Sequence, residues 1–157
     1  MSLEKAREHL KKYGLDGKIQ LFEVSSATVA LAAAALGTDP ERIAKTLSFM
    51  QGETPVLIVA AGDAKVDNRK YKDKFATKAK MLAFDDVERL IGHAVGGVCP
   101  FGVNEGVRVY LDESLKRFET VFPATGTSAS AIELTIPELE LASEYIEWVD
   151  VTSVPEQ

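Results

Sequence analysis

Residues 55 to 61, PVLIVAA, contain no polar side chain. A β-strand turns alternate side chains to opposite faces, so an unbroken apolar run belongs to a strand covered on both sides, at the centre of a sheet. It follows the turn QGET and, before that, RIAKTLSFM (42–50), which reads as another strand. The pattern is strand, turn, central strand, and the rest of the chain has to cover it.

The remaining elements are short. Leu3, Ala6, Leu10 and Tyr13 fall at helical spacing, and Gly14 closes that helix. KIQLFEV (18–24) reads as a strand, and Ser26 or Thr28 caps an alanine-rich helix that ends at Gly37. TDPER (38–42) starts a short helix with Pro40 in its first turn. Residues 67 to 75 and 85 to 91 read as helices, and KAKMLA (78–83) as a strand. Further strands are expected at 107–112, 118–122, 130–134 and 145–151, with a helix at 136–143. Many strands with scattered short helices predict an α+β fold, one domain over residues 1–157, with a mixed, curved sheet flanked by short helices.

Several function classes are excluded by composition. A net charge of −6 argues against a general nucleic-acid coat. No apolar run approaches the ~20 residues of a membrane helix, and the amphipathic start MSLEKAREHLKK is not that of a signal peptide. A lone cysteine, Cys99, allows no internal disulfide and no Cys/His metal spacing is present, so a reducing cytoplasm is the expected compartment. The charge is uneven: residues 64 to 80 carry seven Lys or Arg against two Asp. Lys65, Arg69, Lys70 and Lys72 in that stretch form either a solvated helix face or a phosphate-binding edge.

Three pieces carry chemistry. Lys45 shares a strand face with Leu47 and Phe49. Either its stem lies on the core while the ammonium reaches water, or, at a helix-to-strand junction, it points into a cleft as a fixed cation with three donors. HAVGGVCPFGVNEG (93–106) holds four glycines and Pro100. It is either a plain connection or a rigid loop whose bare N–H groups bind a carbonyl oxygen. Cys99 lies inside it, six residues after His93, as a packed thiol or a nucleophile. PATGTSASAIEL (123–134) sets Gly126, Thr127 and Ser128 in a polar turn, with hydroxyls for turn chemistry or for a small pocket.

In this order the pieces resemble the YbaK/ProX-type family, free-standing relatives of the editing domain of some bacterial prolyl-tRNA synthetases. The resemblance rests on ALGTDPERIAKTLSF (35–49), VLIVAAGDAKVDNRKY (57–71), AKMLAFDDVERLIGHAVGGVCPFG (79–102), VRVYLDESL (107–115) and GTSASAIELTIPEL (126–139). Its sharpest features are the lysine of IAKTL and the Gly-x-x-x-Pro loop from Gly96 to Pro100. It implies an enzyme that hydrolyses mischarged aminoacyl-tRNA, most readily Cys- or Ala-tRNA-Pro, with no metal or organic cofactor. The implied partners are aminoacyl-tRNA and prolyl-tRNA synthetase, not DNA or membrane. It implies Lys45, Gly96 and Pro100 as the catalytic set, Lys45 anchoring the terminal nucleotide or the substrate carbonyl. It implies Phe22, Thr46, Gly97, Val98, Cys99, Gly126, Thr127 and Ser128 around the substrate; from the residues alone Phe22 reads equally well as core. The family route is substrate-assisted, through the tRNA 2′-hydroxyl or a cysteinyl thiol. Thr46, where the alanyl-specific branch has asparagine, leans towards the cysteinyl-clearing branch or a less defined one. Thr127 and Ser128, where relatives often carry a basic residue, keep a rival open: a binding module of the same fold without turnover.

Overall fold

The computed structural model describes residues 2–23 and 28–155. The chain opens with α1 (Ser2–Lys11), β1 (Ile19–Leu21) and α2 (Val29–Leu36). Thr28 caps α2 by accepting the Leu31 N–H, and Gly37 ends it in the left-handed conformation; Ser26 and the end of the expected first strand lie outside the described residues. Pro40–Arg42 form a single 3-10 turn. There follow β2 (Ile43–Gln51), β3 (Thr54–Ala61), β4 (Lys65–Val66), α3 (Asn68–Phe75) and α4 (Phe84–Ile91). Asp67 caps α3 by accepting the N–H groups of Arg69 and Lys70. The second half holds β5 (Arg108–Asp112), β6 (Thr120–Pro123), β7 (Ser130–Ile132), β8 (Leu134–Thr135), α5 (Ile136–Ser143), β9 (Trp148–Val149) and β10 (Thr152–Ser153).

Six strands form one mixed, curled sheet in the order β8-β6-β2-β3-β5-β9. β2 pairs antiparallel with β3 and parallel with β6; β3–β5 and β5–β9 are parallel. Smaller ladders join β1 to β7 and β4 to β10. The apolar run of β3 has the burial its sequence demands. Val56 through Ala61 are fully buried, Leu57, Val59 and Ala61 in the larger core and Val56 and Ile58 in a second core with Phe49, Tyr71 and Tyr110. A third cluster of Ala33, Ile43 and Phe122 seats α2 against the start of β2 and β6.

Three strand expectations need correction. Residues 78–83 form no strand, only an antiparallel bridge from Met81 to Phe49 along β2. Residues 130–134 break at Glu133, so that β7 joins β1 while β8 joins β6. The exposed Glu133 carboxylate accepts from Arg42 and Thr120 at that break. Of 145–151 only Trp148–Val149 is strand. The buried Asp112 carboxylate takes the Val151 N–H (2.9 Å) and the Thr152 hydroxyl (2.7 Å), drawing the chain off the ladder. β4 and β10, too short to show a period, were not foreseen.

Candidate active site

β6 stops covering β2 after Ala44, and the segment around Met81 meets β2 only from Ser48 onward. Between them lies a cleft of about 390 Å³. One wall is α2, through Val29, Ala32 and Leu36; the floor is β2 from Ile43 to Ser48; the far side is Met81, Leu82, Phe84 and Val87. Phe22, Gly96, Val98, Thr127 and Ser130 are also in its lining, and Phe122 and Ala124 border it on the β6 side. Because the opening lies along a strand edge, residues of both β2 faces reach it, including Lys45 and Thr46.

Lys45 is half-buried. Its ammonium donates to the carbonyl of Gly62 (3.3 Å) and to that of Ala64. Among the described residues no third acceptor is present, so one N–H stays free. The turn that supplies the carbonyls is braced by Arg117, whose guanidinium forks onto Asp63. Burial lowers the Lys45 pKa from its ordinary value; the Asp63 charge opposes this and the nearby Lys65 adds to it. The lysine shares its strand face with Leu47 and Phe49 because its stem lies over the sheet while its head is turned to these carbonyls.

The glycine loop is placed in two parts. Gly96, at φ +94°, is exposed and lines the cleft with Val98. Gly97 is turned inward: a Cβ there would run into the Gly126 carbonyl. Its bareness serves the approach of two stretches of backbone, not the approach of a ligand. Gly97, Gly126 and Ser128 border a second hollow of about 480 Å³ beside Ser2 and Lys5. Thr127 reaches both hollows, but its hydroxyl already accepts the Ala129 N–H and meets the Ser130 hydroxyl at 2.9 Å.

Cys99 and Pro100 are buried and do not line the cleft. The Cys99 thiol lies 3.5 Å from His93 Nε2, which meets the Phe101 carbonyl at 2.5 Å. Burial pushes the thiol up to about 12, against weaker backbone bonds from Phe101 and Gly126, and burial lowers the His93 pKa. A neutral, sealed thiol beside a neutral imidazole is not an activated nucleophile.

The basic stretch is divided. Lys70 donates to Asp150 (3.0 Å) and to the Thr152 carbonyl (2.8 Å), tying α3 to β10. Lys65, Arg69 and Lys72 are exposed, and among the described residues they make no ion pair. None of the four lines the cleft.

Sequence reasoning missed Met81 and Phe84 at the cleft mouth, 60% and 73% exposed. The helical period sets Phe84 in line with Val87 and Ile91, yet only those two are buried; a phenylalanine one turn ahead of a buried stripe, at a helix start, was the available signal. Among the described residues no helix is long and apolar enough to cross a membrane, and no group of three or more His, Cys, Asp or Glu is placed to hold a metal.

Comparison with known proteins adds to this geometry. The sequence model of the family described as aminoacyl-tRNA editing domain matches residues 23–141. A Bacillus subtilis (strain 168) protein, the uncharacterized YwhH, is 51% identical over 152 residues, covering 96% of this chain and 97% of that protein. The proline–tRNA ligase of Streptococcus sanguinis (strain SK36) is 26% identical over 121 residues, 76% of this chain but 20% of the ligase. The chain thus spans about a fifth of the ligase's length. A crystal structure described as a candidate trans-editing enzyme for prolyl-tRNA synthetase superposes with a TM-score of 0.87 at 27% identity, covering 97% of each chain.

Proposed function

This chain belongs to the aminoacyl-tRNA editing domain family, and from that premise we propose that it is a trans-acting deacylase that hydrolyses the ester of a small, wrong amino acid on tRNA, cysteinyl or alanyl groups on tRNA-Pro being the first to test. The observation that carries the reading is Lys45, an ammonium held by two carbonyls at a largely apolar cleft, with one N–H that meets no acceptor among the described residues. That donor suits the carbonyl oxygen of an acyl group or a phosphate of the terminal nucleotide. A cleft of about 390 Å³ has room for a small aminoacyl group with part of its ribose.

The ester is already activated, so the site has to position it and stabilise charge on the carbonyl oxygen. Water adds to the carbonyl carbon, and the bond to the ribose oxygen breaks. That oxygen leaves with a proton, and the amino acid departs as a carboxylate while the second proton goes to solvent. Among the described residues no carboxylate or imidazole lines the cleft. In this reading the substrate assists its own cleavage: its vicinal ribose hydroxyl orients the attacking water, or, in place of water, a cysteinyl thiol attacks its own ester carbonyl, closing a thiolactone as the bond to the ribose oxygen breaks and the thiol proton passes to that oxygen. Phe22, Val98 and the aliphatic residues of α2 form the wall for the amino-acid side chain, and Gly96 supplies main chain at the mouth. Arg69 and Lys72, with Lys65, are the cations offered to the tRNA backbone, and prolyl-tRNA synthetase is the protein partner to test. Such work belongs in the cytoplasm, where charged tRNA is found. A second sieve is needed because one methylene is worth only about 1–3 kcal/mol of discrimination.

The test is a deacylation screen over alanyl-, cysteinyl-, seryl- and prolyl-tRNA-Pro. The expected result is faster loss of the cysteinyl or alanyl ester with the prolyl ester spared. If every ester outlives its buffer control, the protein is a binder and the hydrolase reading is wrong.

A further inference from the structure

Among the described residues the outer edge of β2 is covered at both ends and bare in the middle, and we propose that this gap docks the aminoacyl group, which pairs with Thr46 as a single residue of a neighbouring strand would. The inference rests on the deacylase reading and names how its substrate is held.

The β2–β3 hairpin closes on Gln51 opposite Thr54 around a two-residue turn, so that closing pair exchanges both hydrogen bonds. Bonded and non-bonded pairs then alternate. Gln51, Phe49, Leu47 and Lys45 direct their main-chain groups to β3, and the even-numbered residues direct theirs to the other edge. The contacts on that edge agree. Met50 N–H donates to the Lys80 carbonyl (2.8 Å), and the Ser48 carbonyl accepts from Leu82 N–H (3.1 Å). Ala44 is in register with Pro123 of β6.

Thr46 falls between these contacts. β6 ends at Pro123, and Ala124 crosses instead to Ala131. The other segment leaves β2 at Leu82 to begin α4. Among the described residues no partner meets the Thr46 main-chain N–H or C=O on this edge. The Thr46 Oγ1 is likewise buried without a hydrogen-bond partner. Unpaired main-chain groups inside a nine-residue strand are costly unless something outside the fold satisfies them. The flanks of the gap, Phe122, Ala124, Met81 and Leu82, all line the cleft, so whatever enters the cleft meets this edge.

An aminoacyl ester carries one amino nitrogen and one carbonyl on either side of a single α-carbon, the arrangement of a residue in a strand. Its ammonium donates to the Thr46 carbonyl, and its ester carbonyl accepts from the Thr46 N–H. Its side chain then stands perpendicular to the sheet, and strand addition of this kind gives affinity through main chain alone. When water attacks, the carbonyl oxygen gains charge against a donor already in place.

The probe is 3′-deoxy-3′-alanylamidoadenosine, whose amide is not hydrolysed, titrated into ¹⁵N-labelled protein beside its amine-free propionylamido counterpart. In the free protein the Thr46 amide is expected to exchange with solvent about tenfold or more faster than those of Lys45 and Leu47. With the alanyl probe it should move downfield and become protected, and the propionyl probe should bind about tenfold more weakly. An amide as slow as its neighbours in the free protein, no movement at saturation, no saturation at millimolar probe, or equal affinity for the two probes overturns the proposal. A Thr46 response in a protein that hydrolyses no ester leaves the docking slot standing and removes the hydrolase. Active hydrolysis with a silent Thr46 removes the slot alone.

Discussion

At Lys45 and Thr46 the chain reaches the cleft with hydrogen-bonding capacity unused; at His93 and Cys99, residue types of greater intrinsic reactivity, Nε2 and the thiol face one another and the Phe101 carbonyl inside the core, and His93 Nδ1, though without a partner, is buried away from the cleft. Both pairs are buried to some degree, but burial acts on them differently. Around Lys45 it is partial, and two carbonyls with the Asp63 charge offset it. Around Cys99 it is complete, and the thiol stays protonated. What separates a site from a packed core here is a donor or acceptor left free where a ligand can arrive.

The strongest way to break this contrast is Lys45→Met, which keeps the apolar stem and removes the donor. Deacylation kcat/KM is expected to fall about a hundredfold or more, roughly 3 kcal/mol of transition-state stabilisation, with little change in Tm; wild-type turnover in single-turnover assays would remove Lys45 from the site. If the ammonium is the working form, wild-type activity declines as pH rises through the lowered Lys45 value, earlier than an ordinary lysine would allow. The stability effect has the opposite sense. Between that lowered value and the ordinary one the unfolded chain binds more protons, so stability relative to Lys45→Met rises with pH in that window.

The core half of the contrast is tested by thiol labelling. A sealed thiol raised to about 12 should react about a hundredfold or more slowly in the native protein than in denaturant. Rapid native labelling would make Cys99 accessible after all. Next comes Gly97→Ala, whose Cβ meets the Gly126 carbonyl. Overpacking of this kind costs about 2 kcal/mol, a fall in Tm of roughly 4–8 °C, measured by calorimetry; an unchanged Tm would free Gly97 for a ligand-facing role. Reversing charge at Arg69 and Lys72 together should lower the salt slope of tRNA binding by about 1–2 units, most visibly at low ionic strength. An unchanged slope returns α3 to a solvated face. The smallest effect is expected from the isosteric Thr46→Val, which removes a buried hydroxyl without a partner. Its Tm should hold or rise by a few degrees, since such an unmet group costs about 1–3 kcal/mol; a clear fall would mean that the hydroxyl is bonded in the fold.

Local chemistry was legible before any coordinates. PVLIVAA is the central β3, Thr28 and Gly37 bound α2, and 136–143 is a helix that Thr135 and Glu138 fix with a capping box. Each follows from periodicity or capping within a few residues. Where the reading failed, a distant partner decided. Asp112 turns the chain at Val151, and the bridge to Phe49 holds Met81 beside β2 without making a strand of 78–83. The glycine loop shows both outcomes in adjacent residues, since Gly96 opens on the cleft while Gly97 packs on the 126–127 turn.

The chain alone determined a buried central strand, a mixed sheet with short helices, and a lysine at the head of the strand before it, because side-chain period and capping act over a handful of neighbours. Only the tertiary structure decided that β6 and the Met81 segment stop short of each other along β2, that the carbonyls of Gly62 and Ala64 hold the Lys45 ammonium, and that Cys99 is closed off. Those outcomes depend on which backbone groups find partners far along the chain, and no local pattern encodes where a partner will be missing.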